Sequence, residues 1–159
     1  MIGWLLCPGC GVPNVAYRED SVATPRGLNP ARTHEVPPSL PEAVAGAWTE
    51  ALDCFSVHAY TASARMCRKI VFYLAVDRGL SAKVDGRAPG FLQCIDYLVT
   101  EGVITSTQRD QWVDRIRVLG NSATHDVSAV SEVDAQASLD FTLMLLNMVY
   151  VYPAMAGNG

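Results

Sequence analysis

Residues 39–55, SLPEAVAGAWTEALDCF, decide the fold class. Val44, Ala47, Trp48, Ala51, Leu52 and Phe55 recur at i, i+3, i+4, i+7, i+8 and i+11, the spacing of one apolar face of an α-helix. Ser39-Leu40-Pro41-Glu42 just before them has the form of a capping box, with Pro41 tolerated in the first turn. Outward from this helix the same period continues. A second helix is expected from about Ser56 to Arg78, burying Ala59, Ala62, Met66, Ile70, Tyr73 and Leu74 and stopped by Gly79. Phe91, Leu92, Ile95, Leu98 and Val99 mark a shorter third helix ending near Gly102. Thr105 or Ser106 caps a fourth, which carries Trp112, Ile116 and Leu119. Ser131-Glu132-Val133-Asp134 opens a fifth, with Leu139, Leu143, Leu146, Met148 and Val149, and Pro153 is expected to end it. No alternating segment is long enough to demand a sheet. The expectation is an all-α fold, an antiparallel bundle of four to five helices over residues 39–155. An irregular N-terminal arm, residues 1–38, precedes it and holds most of the prolines.

The chain has 159 residues, half of them hydrophobic, enough to bury a core without staples. Its net charge of −4 argues against a broad electrostatic grip on nucleic acid, although a local basic groove is hidden in such a sum. The opening MIGWLL lacks the basic region and the length of a secretory signal. No run approaches the roughly 18 apolar residues of a membrane span. With an odd count of five cysteines, the expectation is a reduced, cytoplasmic protein without a membrane segment.

The fourth helix carries the polar residues of greatest chemical interest. On a helical wheel Trp112, Ile116, Leu119 and Ala123 fall on one side, and Asp114, Arg117, Asn121 and His125 fall on the other. Asp114 can pair with Arg117, which lies one turn from Asn121, itself one turn from His125. Arginine supplies a charged fork for a phosphate, histidine shuttles a proton near neutrality, and asparagine orients either one. The same pattern also describes a solvated helix face, and Gly120 in its middle favours a break after which Asn121 or Ser122 caps a new turn. Arg65, Arg68 and Lys69 form a short basic patch on the second helix. It reads either as a solvated face or as a binding surface in which Arg68 reaches the groove of His125 or pairs with Glu50. His58 lies near the join of the first two helices, with no partner evident from sequence.

Cys7-Pro-Gly-Cys10 is a C-x-x-C knuckle, half of a zinc ribbon, and no second such pair follows. His34 is the nearest other ligand type in the arm. Cys54, Cys67 and Cys94 fall on expected helices, where small buried cysteines are common. No phosphate loop, G-x-S-x-G elbow or paired-carboxylate metal motif is present.

The segments EALDCFSVHAYTASARMCRKIVFYLA (50–75), LQCIDYLVTEGVIT (92–105), WVDRIRVLGNSATHD (112–126) and DAQASLDFTLMLLNMVYVYPA (134–154) occur in this order. Together they resemble an HEPN-like helical domain of the type associated with restriction and defence proteins. The resemblance covers most of residues 36 to 155. It implies a homodimer that binds RNA or a nucleotide, alone or with a partner protein of a defence system. It also implies an N-terminal zinc ribbon, of which Cys7 and Cys10 would be the surviving half. HEPN ribonucleases place an arginine shortly before a histidine, followed by a polar residue, and join two such motifs across the dimer. Carried over, His125 matches the histidine and Asn121 the polar residue, while Gly120 stands where the arginine belongs. Arg117 is the nearest substitute, and this departure favours a non-catalytic module over a metal-independent endoribonuclease.

If the chain is such a ribonuclease, His125 exchanges a proton at the ribose 2′-hydroxyl or the leaving oxygen, and Arg117 stabilises the phosphate. That reading predicts that His125→Ala abolishes RNA cleavage with the fold intact; cleavage that persists in the variant overturns it.

Overall fold

The computed structural model describes the backbone of residues 2–6, 13–19 and 22–27, and residues 32–83, 86–113, 116 and 129–157. The helical part is the expected all-α bundle. Its helices are α1 (Glu42–Ser56), α2 (Tyr60–Asp77), α3 (Phe91–Thr100), α4 (Ser106–Val113) and α5 (Glu132–Leu146). A π-helical turn, Asn147–Val151, leads from α5 into α6 (Tyr152–Gly157).

The arm differs from the expectation of irregularity. It contains strands β1 (Ile2–Leu6), β2 (Pro13–Glu19) and β3 (Val22–Gly27), which form an antiparallel meander in the order β1-β2-β3. Trp4 pairs with Val15, Val15 with Arg26, and Glu19 with Val22 across a two-residue connection. Two of the prolines that suggested an irregular arm sit where a strand tolerates them. Pro13 opens β2 and Pro25 lies on the edge strand β3, so neither removes a donor from the middle of the ladder.

α2 is the centre of the bundle, packed against α1, α3 and α5. It buries Ser63, Ala64, Cys67, Ile70, Val71, Leu74 and Ala75. The expected stripe runs one position off this set in its first half. Ala62 is exposed and Tyr73 is 41% exposed, because small side chains rather than large ones line the seam with α1. The Ser63 hydroxyl donates to the Ala51 carbonyl of α1 at 2.9 Å and is fully buried, so the two backbones approach closely there. Trp48, Leu52, Ile70, Leu74, Ile95, Leu98, Leu139, Phe141 and Leu145 complete a continuous core. Each fully buried Leu or Ile in it contributes about 1.5–3 kcal/mol.

The helix ends follow local chemistry. Thr105 and Gln108 form a capping box at α4: Thr105 Oγ1 accepts the Gln108 N–H at 3.1 Å, and Gln108 Oε1 accepts the Thr105 N–H at 2.8 Å. Ser131 Oγ accepts the Asp134 N–H at the start of α5. The capping box expected at Ser39 does not form. Pro41 is the N-cap, its carbonyl accepts from Val44 and Ala45, and Ser39 turns away with φ +67°. α1, α2 and α3 all end in Schellman turns. In each, the second residue past the helix cap donates to the carbonyl five residues back: Ala59 to Cys54, Leu80 to Ala75, Val103 to Leu98. Gly79 and Gly102 take the left-handed position at two of these turns, as expected. At the third it is His58, with φ +63°, and this turn starts α2 at Tyr60 rather than near Ser56 as expected.

Pro153 does not end α5. A proline lacks the N–H that would reach the carbonyl four residues back, and its ring crowds that carbonyl. The π-turn re-spaces the backbone just before it, with Tyr152 donating to Asn147. The Val149 carbonyl, four residues before Pro153, accepts instead from Arg78 Nη2 at 2.8 Å. The run Glu132–Gly157 is therefore 26 residues of nearly continuous helix, long and apolar enough by length and composition to cross a membrane, contrary to the sequence expectation. In the bundle its Ala135, Leu139, Phe141, Leu145 and Leu146 are fully buried against the other helices.

Two substitutions test the turns in opposite directions. His58→Gly relieves a left-handed non-glycine residue and raises unfolding free energy by about 1 kcal/mol. Gly79→Ala lowers it by about 2 kcal/mol or more, because Gly79 has φ +114° and a Cβ there would lie 2.9 Å from Tyr97 Oη. Urea titrations of the two variants check the signs.

Candidate functional site

The face of α2 turned away from the core carries Arg65, Arg68, Lys69 and Phe72 at i, i+3, i+4 and i+7. Their i, i+3, i+4 relation to one another is forced by the buried stripe on the opposite side. Ahead of α3, Ala88-Pro89-Gly90 brings the chain back beside this face, and Phe91 then turns into the core. Between them lies a cleft of about 380 Å³, lined by the three cations and by Phe72, Ala88, Pro89, Phe91 and Cys94. Among the described residues no carboxylate lines it.

Other cations of the described residues are spent on intramolecular pairs. Arg32 is held by Asp53 through two contacts of 2.6 and 3.0 Å, and Arg109 Nε stands 2.9 Å from Asp96. Among the described residues Arg65 and Lys69 are exposed and enter no ion pair. Arg68 is half-buried, and its charge acts on Cys94 at the cleft wall. Burial raises the Cys94 thiol above its ordinary value, with the Arg68 guanidinium pulling the other way. No side chain caps the first turn of α3, whose amides add a positive partial charge at the same end; Gln93 instead accepts the Gly90 N–H at 2.7 Å.

A second cleft, of about 510 Å³, lies by the N-terminus of α5 and is lined by Phe55, Glu132, Val133, Asp134, Gln136, Ala137 and Asp140. Its carboxylates serve local structure. Asp134 receives the Ser131 hydroxyl at 2.6 Å, Asp140 receives Gln136 at 2.9 Å and faces His34 at 3.0 Å, and burial together with Glu132 raises the Tyr60 phenol above its ordinary value. His34 also has its other ring nitrogen 2.9 Å from Thr33 Oγ1, and its ring meets Trp48 edge-on. These contacts, with Arg32–Asp53 and the Trp48 Nε1 bond to the Glu35 carbonyl, tie residues 32–35 to α1 and α5. His34 is thus engaged on both nitrogens rather than turned toward a metal.

Asp114, Arg117, Asn121 and His125 lie outside the described residues, as do Cys7 and Cys10. The apolar side of the fourth-helix wheel is described in part. Trp112 packs on Phe141 with ring centroids 5.6 Å apart, and Ile116 is fully buried and donates to the Trp112 carbonyl. Arg65 and Arg68, singled out in the sequence, are brought together with Lys69 in one cleft. The sequence reading missed its other wall. Pro89-Gly90 directly before an apolar helix start was the available signal, since it fixes where the loop must return. His58, without a partner in the sequence, has its Nδ1 2.7 Å from the Tyr60 hydroxyl. No group of three metal-ligating side chains occurs among the described residues.

Burial pushes the Cys67 thiol up to about 12. The folded state therefore holds this proton more tightly than the unfolded state, an advantage present below pH 9 and lost as pH rises toward 12. At pH 8 a thiol-reactive dye is expected to label the half-exposed Cys54 in the native protein and to leave Cys67 unlabelled until denaturant is added. Labelling of Cys67 at the rate of Cys54 would contradict the burial.

No curated protein and no solved structure matches the chain. A family model matches residues 49–158, from the middle of α1 through α6, which is well over half of the sequence. On that match the chain belongs to the family described as Domain of unknown function (DUF4145).

Proposed function

We propose that this chain is an HEPN-like module that binds nucleic acid or a nucleotide through its phosphates without cleaving it. The observation that carries this reading is the α2–α3 cleft, where Arg65, Arg68 and Lys69 converge beside apolar walls and no acidic residue is among the described residues of the lining. Guanidinium and ammonium groups at the mouth of a partly apolar cleft suit a phosphate attached to an organic body. Among the described residues, proton transfer near neutrality has no agent in the cleft. The described lining holds no imidazole or carboxylate, and its thiol, Cys94, is made less acidic by burial. The sequence resemblance supports the rest of the reading: a homodimer in a bacterial or phage defence system, acting with a partner protein.

The test is binding of labelled single-stranded RNA and of a labelled nucleotide to the full chain, each measured across a salt series. Arg65→Ala with Lys69→Ala is expected to weaken binding about tenfold or more and to flatten the salt dependence for RNA by about two charges. Both positions are exposed and enter no ion pair among the described residues, so the double variant should unfold within about 0.5 kcal/mol of the parent. Unchanged affinity in the variant, or no binding by the parent, overturns the proposal.

A further inference from the structure

Arg65, Arg68 and Lys69 occupy little more than one turn of α2, so their side chains leave the helix about 5–6 Å apart and meet over a single cavity. A groove that follows a strand needs its cations in a row, one phosphate after another, with exposed aromatic faces for successive bases. The described surface offers no such row. Arg32 and Arg109 are tied to Asp53 and Asp96, and Arg78 is turned to the Val149 carbonyl. Lys83 and Arg87 belong to the loop before α3, and neither lines the cleft. The cavity, at about 380 Å³, lies in the lower part of the range for small-molecule sites. Its apolar side is compact: Phe72, Pro89 and Phe91 stand next to the cations rather than along a track. The chain as a whole carries −4, which repels the flanking phosphates of a long polyanion but barely affects a small ligand inside the cleft.

Resting on the phosphate-binding reading of the same cleft, we infer that its ligand is a compact organic phosphate with two or more negative charges and a flat apolar body, rather than a length of strand. The charges lie against Arg65, Arg68 and Lys69, and the body lies against Phe72 and Phe91.

Calorimetric titration of the full chain with ATP, AMP, inorganic triphosphate and a 5′-hydroxyl oligoribonucleotide tests this. ATP is expected to bind, with AMP and inorganic triphosphate each about tenfold or more weaker, the first for lost charge and the second for the lost body. Phe72→Ala should weaken ATP and leave inorganic triphosphate unchanged, while Arg65→Lys should keep most of the ATP affinity. An oligoribonucleotide that binds more tightly than ATP, and loses that affinity in the Arg65→Ala, Lys69→Ala variant, overturns the inference and leaves the phosphate-binding reading standing. Inorganic triphosphate binding as tightly as ATP also overturns it. Heat from none of the four ligands removes both.

Discussion

The close crossing of α1 and α2 sets the rest of the molecule. A buried hydroxyl, Ser63, satisfied by the Ala51 carbonyl, lets two helix backbones meet where larger side chains would hold them apart. With Ala64 and Cys67 also buried, α2 sinks far enough to be covered by α1, α3 and α5 together. Burial of that many apolar side chains on one face leaves the other face of α2 no choice but solvent. The clustering of Arg65, Arg68 and Lys69 is thus a by-product of how deeply α2 is seated: the same rotation that hides Ile70 and Leu74 presents the cations.

The cleft exists because a second element returns to that face. Pro89 and Gly90 end an exposed loop and start α3 with Phe91 already in the core, so the loop is pinned beside the cations at one side only. Rigid helices thereby hold the charged wall, and a short turn supplies the apolar one.

Much of the bundle was legible in the sequence, since a 3.6-residue period over long apolar stripes survives most tertiary effects. Gly79, Gly102, Thr105 and Ser131 were readable for the same reason: each marks a helix end by its own chemistry. What escaped depends on neighbours remote in sequence. His58 does a glycine's work in a Schellman turn, and nothing local announces it. The register of α2 was misread because Ser63 and Ala64 are small and look like surface residues until α1 is placed over them. The strands were missed because Pro13 and Pro25 lie at the tolerated places, which only the sheet order reveals. At the site, the basic patch could be named but not its apolar wall, which comes from residues about twenty positions away. Asp114, Arg117, Asn121 and His125 keep the standing the sequence gives them.

The guanidinium of Arg78 joins three parts of the fold at one point. It reaches the Val149 carbonyl that Pro153 leaves without a helical donor, while its own backbone carbonyl receives the Tyr97 hydroxyl of α3 at 3.1 Å. One residue earlier, Asp77 receives the Tyr150 hydroxyl, and burial together with that carboxylate holds the Tyr150 phenol well above its ordinary value. The last turn of α2, the middle of α3 and the π-turn are therefore a single cooperative unit of local opening. Fraying that begins at the C-terminus cannot stop at the proline. It exposes Val149 and Tyr150, releases Arg78 and Asp77, and loosens the end of the helix on which the whole bundle is centred.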